Sequence, residues 1–297
     1  NGVSGATLQK AVDTAEGKFR IHALFLGGNL RKLYREGKVN VIPGYLSDFA
    51  RMVKDPENED FRYDAMIVRV APPDAEGRYS LGPNNDMIMT VLKSRPGIKV
   101  IAEINANVPH TFGDNYLTKD QITASFESGT QLAGPPQVPR TEVETAIGKN
   151  VASLIDADAT LQIGIGNVFD GIPEALYVKT KQENKFGQLK VSTEMFGDNL
   201  KVLVQNGMAT SAQTGFAYGS GELYRWLDNN KTVSFLENDV VNNPAFISSH
   251  PKMHAVNTAL QVTLLGASNA THGPGGVRIS SPGGQVEFMS GAARSEG

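Results

Sequence analysis

Three short segments in the second half of the chain hold residue types suited to covalent chemistry on a bound substrate. In Val191-Ser-Thr-Glu194-Met-Phe-Gly-Asp198 the residues Lys190 to Thr193 read as a strand, so Glu194 falls at or just past a strand's C-terminal end. In open α/β sheets that edge is where ligands bind, and a carboxylate there can serve as general base or as nucleophile. Taken alone, a solvated loop glutamate or one paired with a nearby lysine fits the same residues. The second segment, Thr160-Leu-Gln-Ile-Gly164-Ile165-Gly166-Asn167-Val168, reads as a strand running into a glycine turn, with a helix signalled by Ile172-Pro-Glu-Ala-Leu176. Glycines after a strand let the backbone approach a ligand closely and present N–H groups to it. A plain tight turn is the alternative. A dinucleotide fingerprint would need glycine where Phe169 stands, and no βαβ unit with an acidic residue about 20 positions on at a strand end is read here. In the third segment, Ser281-Pro-Gly283-Gly284-Gln-Val-Glu-Phe288, paired glycines precede what reads as a short strand. They suit either oxyanion-binding amides or a hairpin turn.

The elements that must position these residues follow an α/β pattern of short apolar runs alternating with helical periodicity. Strand-like runs are Phe19–Leu26, Val39–Ile42, Ala65–Val70, Lys99–Ile104, Thr160–Ile165, Leu189–Thr193 and Thr232–Leu236. The run at 65–70 is almost continuously apolar, as expected of a strand covered on both faces. Three prolines in Pro135-Pro-Gln-Val-Pro139 forbid helix or central strand and read as a linker. A helix follows, opened by the capping box Thr141-x-x-Glu144, with Val143, Ala146, Ile147, Val151, Leu154 and Ile155 as one apolar stripe. The domain boundary is placed there, giving domains 1–140 and 141–297. Residues Met253 to Leu265 read as a hairpin or two short strands.

Composition narrows the classes. The chain has 297 residues, 40% hydrophobic and 20% charged, with a formal net charge of −3. It therefore lacks the basic footprint of a nucleic-acid or anionic-membrane binder. Without cysteine it can have no disulfide, thiolate metal site or cysteine nucleophile, which fits a cytoplasmic protein. The five histidines lack metal-motif spacing; His250 and His254 flank Pro251 and cannot share a regular helical face. No apolar run approaches the ~20 residues of a bilayer span. The chain opens at Asn1 with no targeting pattern and stops at Ser295-Glu-Gly297 just after a motif-like stretch. Both ends read as cut.

Together the three segments, in order, resemble the acetyl-CoA hydrolase/transferase family, which includes 4-hydroxybutyrate, butyryl and succinyl CoA-transferases. The same resemblance shows in Ala23-Leu-Phe-Leu-Gly-Gly-Asn29, Val70-Ala-Pro-Pro-Asp-Ala-Glu-Gly-Arg-Tyr-Ser-Leu-Gly82, Asn107-Val-Pro-His-Thr-Phe-Gly-Asp114 and Asp239-Val-Val-Asn-Asn-Pro244. It implies two tandem open α/β domains of the CoA-transferase type with the active site at their interface, each domain incomplete at its outer end. By the same resemblance Glu194 is the nucleophile. Gly164, Ile165, Gly166, Asn167 and Val168 line the CoA site, with the Val168 N–H facing the developing oxyanion. Asn269, Gly283 and Gly284 complete the pocket. The chain departs from the family at Glu287, where aspartate usually precedes the aromatic, and in the Pro- and Gly-rich His272-Gly-Pro-Gly-Gly-Val-Arg278. The family's first α/β segment and last sheet segment are not in this sequence, so any lysine the family places there on CoA is not assigned.

The implied reaction moves CoA from a short-chain acyl-CoA to a carboxylic acid such as acetate through a glutamyl-CoA thioester, with ping-pong kinetics. CoA and acyl-CoA are substrates; no cofactor, metal, nucleic acid or membrane enters, and a homodimer is compatible with it. The nearest rival is an acyl-CoA hydrolase on the same scaffold, differing only in whether water takes the acyl group. A non-catalytic CoA-binding module is disfavoured by Glu194, and a nucleotide-dependent oxidoreductase by the missing third glycine.

Overall fold

Three successive strand–helix–strand units build the larger sheet, each short apolar strand followed by an amphipathic helix that folds back onto it. The computed structural model describes residues 5–14, 18, 20–136, 138–164, 166–185 and 187–297. Six parallel strands run in the order Met253–Val256, Thr160–Ile163, Leu189–Phe196, Ala209–Ala217, Val233–Phe235 and Phe112–Gly113. Helices Asn167–Glu183, Asp198–Gln205 and Gly221–Leu227 occupy the crossovers. Leu161, Ile163, Ile172, Leu176, Val191, Leu200, Leu203 and Phe235 meet between them in one buried core. Because every pairing is parallel, the strands' C-terminal ends share one edge of the sheet.

The first half carries a three-stranded parallel sheet, Ala65–Val70, Lys99–Asn105 and Ala124–Ser128, with the second of these in the middle. A parallel pair, Ile21–Ala23 with Val39–Val41, and an antiparallel pair, Tyr79–Ser80 with Tyr116–Leu117, complete it. The expected division at 140/141 is not respected by the larger sheet, whose edge strand Phe112–Gly113 comes from the first half. Residues 83–86 are stitched to the second half as well: the Ala217 N–H donates to the Pro83 carbonyl at 2.8 Å, and the Asp86 N–H to the Gly215 carbonyl at 3.0 Å. Among the described residues no helix is long and apolar enough to cross a membrane.

Several expectations need correction. Ala65–Val70 is covered on one face only: Val68 and Val70 are buried, while Ile67 is 75% exposed. The helix Glu142–Ser153 keeps its capping box, with the Glu144 N–H donating to Thr141 Oγ1 at 3.2 Å, but buries a different face. Gly148 lies so close to Gly171 of the next helix that a Cβ would come within 2.6 Å of the Gly171 backbone. That approach turns Gly148, Ala152 and Ile155 inward and leaves Val143, Ile147 and Leu154 exposed. Gly284 precedes a helix, Gln285–Ala292, rather than a strand. Of the two readings of residues 253–265, the structure has the two short strands: Met253–Val256 joins the large sheet and Gln261–Val262 pairs with Ser268–Asn269. A βαβ unit does begin with Thr160–Ile163, but its second strand carries Glu194 30 positions past Gly164, not at the dinucleotide-fingerprint spacing. Ala209–Ala217, not foreseen, is the long strand beside the one bearing Glu194. Phe19, in the first expected strand, lies outside the described residues.

Candidate active site

Glu194 sits on Leu189–Phe196, two residues before that strand ends at the sheet's C-terminal edge. The parallel register that pairs Val191 with Leu161 brings it level with Gly164, where the neighbouring strand has given way to the glycine turn. Two bonds fix this junction: Thr193 Oγ1 donates to the Ile163 carbonyl at 3.3 Å, and Asn199 Nδ2 to the Gly164 carbonyl at 3.0 Å. Gly166 adopts φ +117°, and Asn167 and Val168 open the helix Asn167–Glu183. Their N–H groups fall in its first turn, where a helix leaves donors without intrahelical acceptors. Ile165 lies outside the described residues.

The third segment closes on Glu194 from the opposite side. A Cβ on Gly284 would stand 2.1 Å from Glu194 Oε2, and one on Gly283 would stand 3.7 Å from Oε1. Gly284 therefore lays bare backbone against the carboxylate, and its N–H donates to it. Asn242 Nδ2 supplies a second donor, to Oε2 at 3.1 Å. Phe25, from the first half, reaches the same place: its ring edge would be 3.7 Å from a Gly283 Cβ. The Leu26 N–H, bound to Ser281 Oγ at 3.1 Å, holds that loop in position.

Part of Glu194 reaches solvent, but its carboxyl head lies inside the protein. Burial pushes that carboxyl up to about 7, with repulsion from Asp86 and Glu287 adding to the rise and the donors Asn242 and Gly284 opposing it. Glu287 is itself buried, with Oε1 accepting the Ser47 N–H of the first half at 3.0 Å. Near neutrality Glu194 thus divides between a proton-bearing form and a poorly solvated anion. Such an anion is a stronger nucleophile than a surface carboxylate.

Asn269 does not join this group. Its Nδ2 donates to the His272 carbonyl at 2.7 Å and to Gln261 Oε1 at 3.0 Å, while its Oδ1 accepts the N–H groups of Thr271 and His272. The side chain is spent on its own turn and on Gln261 of the paired strand. Asn242, Phe25 and Glu287 stand at Glu194 and were not among the sequence candidates, although each falls inside a stretch that carries the resemblance. Asp86 lies four positions past such a stretch; its signal was the polar run Asn84-Asn-Asp86 after Gly82-Pro83.

Residues 2–126 match the Acetyl-CoA hydrolase/transferase N-terminal domain and residues 219–297 the Acetyl-CoA hydrolase/transferase C-terminal domain. A succinyl-CoA:acetate/propanoyl-CoA:succinate CoA transferase of Fasciola hepatica is 32% identical over 289 residues, 94% of this chain and 58% of that protein. A 4-hydroxybutyrate coenzyme A transferase of Clostridium kluyveri is 33% identical over 290 residues, 94% of this chain and 64% of that protein. The crystal structure of a 4-hydroxybutyrate CoA-transferase from Porphyromonas gingivalis superposes with a TM-score of 0.76 at 26% identity, covering 99% of this chain and 71% of that one. The chain spans less than two thirds of either curated relative.

Proposed function

The chain belongs to the acetyl-CoA hydrolase/transferase family, and we propose on that footing that it carries the covalent centre of an enzyme moving CoA between an acyl-CoA and a carboxylic acid. One observation supports this most: the Glu194 carboxylate, at the C-terminal edge of a parallel sheet, is raised toward neutrality by burial and held by two donors, Asn242 Nδ2 and the Gly284 N–H.

In the proposed cycle a Glu194 oxygen attacks the thioester carbonyl, the C–S bond breaks, and CoA leaves as the thiolate. The thiolate then attacks the glutamyl carbonyl, the anhydride C–O bond breaks, and the donor acid leaves as its carboxylate. An acceptor carboxylate reverses both steps. Each passes through a tetrahedral oxyanion. At the glutamyl carbon, the two donors that hold Glu194 at rest are placed for the negative oxygen, and one fixed donor contributes roughly 3–4 kcal/mol there. At the acyl carbon the first-turn N–H groups after Gly166 are the donors the sheet edge presents. CoA, acyl-CoA and a small carboxylic acid are the proposed substrates.

The test is CoA exchange between an acyl-CoA and an isotopically labelled acid, with the full-length protein. Glu194→Gln keeps the volume and removes the nucleophile, so exchange should fall at least about a thousandfold while the circular dichroism spectrum is retained. Exchange within tenfold of wild type would remove Glu194 from the mechanism. Acyl-CoA consumption that releases free acid without exchange would assign the scaffold to a hydrolase instead.

A further inference from the structure

A second carboxylate is held next to Glu194 by the same short helix. In Asn238–Val241, whose C-terminal cap is Asn242, positions 238 and 242 are one helical turn apart, and the Asn242 N–H donates to the Asn238 carbonyl at 2.7 Å. Each asparagine holds one acid: Asn242 Nδ2 reaches Glu194 Oε2 at 3.1 Å, and Asn238 Nδ2 reaches Asp86 Oδ1 at 2.6 Å. Both asparagines are buried. Gly215 makes room for this, since a Cβ there would lie 1.7 Å from Asn238 Oδ1. Asp86 is also fixed through its backbone. Its N–H donates to the Gly215 carbonyl and its carbonyl accepts the Asn238 N–H, both at 3.0 Å. Its φ of +42° is a left-handed conformation that aspartate tolerates better than most residues do, at a cost that a rigid surrounding must sustain.

We propose that Asp86 is a positioning residue for the glutamate chemistry: clamped by Asn238 one helical turn from the Asn242–Glu194 pair, its negative charge biases Glu194 toward its neutral, acylated forms. The inference rests on the covalent role proposed for Glu194. Forming either the anhydride or the thioester converts the Glu194 anion into a neutral acyl group and sends the charge away on the leaving thiolate or carboxylate. A fixed anion nearby disfavours the Glu194 carboxylate and leaves the neutral acyl forms untouched. Burial pushes the Asp86 carboxyl up to about 6, so it is charged above that pH, and its repulsion is among the influences that raise Glu194.

The other charges around the pair come from four helices and the residues beside the sheet edge. Glu287, on Gln285–Ala292, adds a smaller repulsion to Glu194. Glu237 and Asp239 flank Asn238 and are engaged by Lys93 of Ile88–Ser94 and Lys54 of Leu46–Lys54 respectively. Lys93 also meets Asp114.

Asp86→Asn is the test, in the full-length protein. It removes the charge, keeps an acceptor oxygen for Asn238, and places asparagine where left-handed backbone suits it. The activity limb that rises as Glu194 loses its proton should move down in pH, because the repulsion opposing ionisation is gone; a shift of about one unit is expected. The same repulsion also sets the covalent equilibrium. At a fixed ratio of acyl-CoA to free acid, the ratio of glutamyl-CoA enzyme to free enzyme should therefore fall by the matching factor, tenfold for one unit. Asp86→Ala, which loses the clamp as well, should lower the plateau rate further. A limb that stays in place or moves up, or a limb shift without the matching loss of covalent enzyme, would overturn the proposal. Glu194→Gln separates the two ideas: exchange surviving in that variant sinks the covalent reading itself, whereas its loss beside an unmoved Asp86→Asn profile sinks only the role of Asp86.

Discussion

Two glycine turns flank Glu194, and each uses glycine for a different physical reason. At Gly166 the backbone has φ +117°, yet a Cβ there would meet nothing within 4 Å. At Gly284 the backbone has φ −90°, open to any residue, yet a Cβ would lie 2.1 Å from both Glu194 Oε2 and Asn242 Nδ2. The first glycine is needed for conformation, to turn the strand Thr160–Ile163 into the helix Asn167–Glu183. The second is needed for contact, to press an amide onto the carboxylate. The comparison teaches that a glycine motif near a reactive residue locates a site without saying which atom of the glycine matters.

Substitutions should separate these demands. Gly284→Ala should have the largest effect, because its methyl would displace the carboxylate or its amide partner from a distance tolerance of under 1 Å; kcat/KM should fall by about a hundredfold or more, with the thermal midpoint nearly kept. Gly166→Val should raise KM for acyl-CoA and lower kcat together, by about tenfold overall, as strain of about 1–2 kcal/mol shifts the turn and the Val168 amide. Equal losses in the two variants would erase the distinction between contact and conformation. Asn269→Ala should have the smallest effect: it removes bonds within its own turn and to Gln261, so exchange should stay within about threefold and only the thermal midpoint should drop slightly. A loss of exchange as deep as that of Gly284→Ala would extend the site into the arm that carries Asn269.

Much of this was legible in the residues because each element carries its own local cause. The strand ahead of Glu194, the glycine turn and the Thr141–Glu144 cap are set by neighbours in sequence, and the structure has them within a few residues of their expected bounds. What failed depended on distant partners. The apolar stripe Val143, Ile147 and Leu154 looks buried until Gly148 is seen to draw the helix against Gly171. Gly283-Gly284 before alternating residues suggests a strand, whereas contact with Glu194 and Asn242 favours a helix start. Asn269 and Asn242 are alike in sequence, each beside small or polar residues; only the crossing of the Asn238–Val241 helix over the Glu194 strand distinguishes them. Asp86 was passed over for the same reason, since the polar run that holds it takes its meaning from Asn238 and Gly215 in the other half of the chain.

The covalent role proposed for Glu194 can be tested directly. The full-length protein is mixed with an acyl-CoA without acceptor acid, quenched rapidly, and weighed intact and as peptides. The account predicts an added mass of CoA less one water on the peptide containing Thr193-Glu194-Met195, absent from Glu194→Gln. Borohydride should inactivate the enzyme only when acyl-CoA is present. A preparation that exchanges CoA yet shows no mass on Glu194 under rapid quench would contradict it.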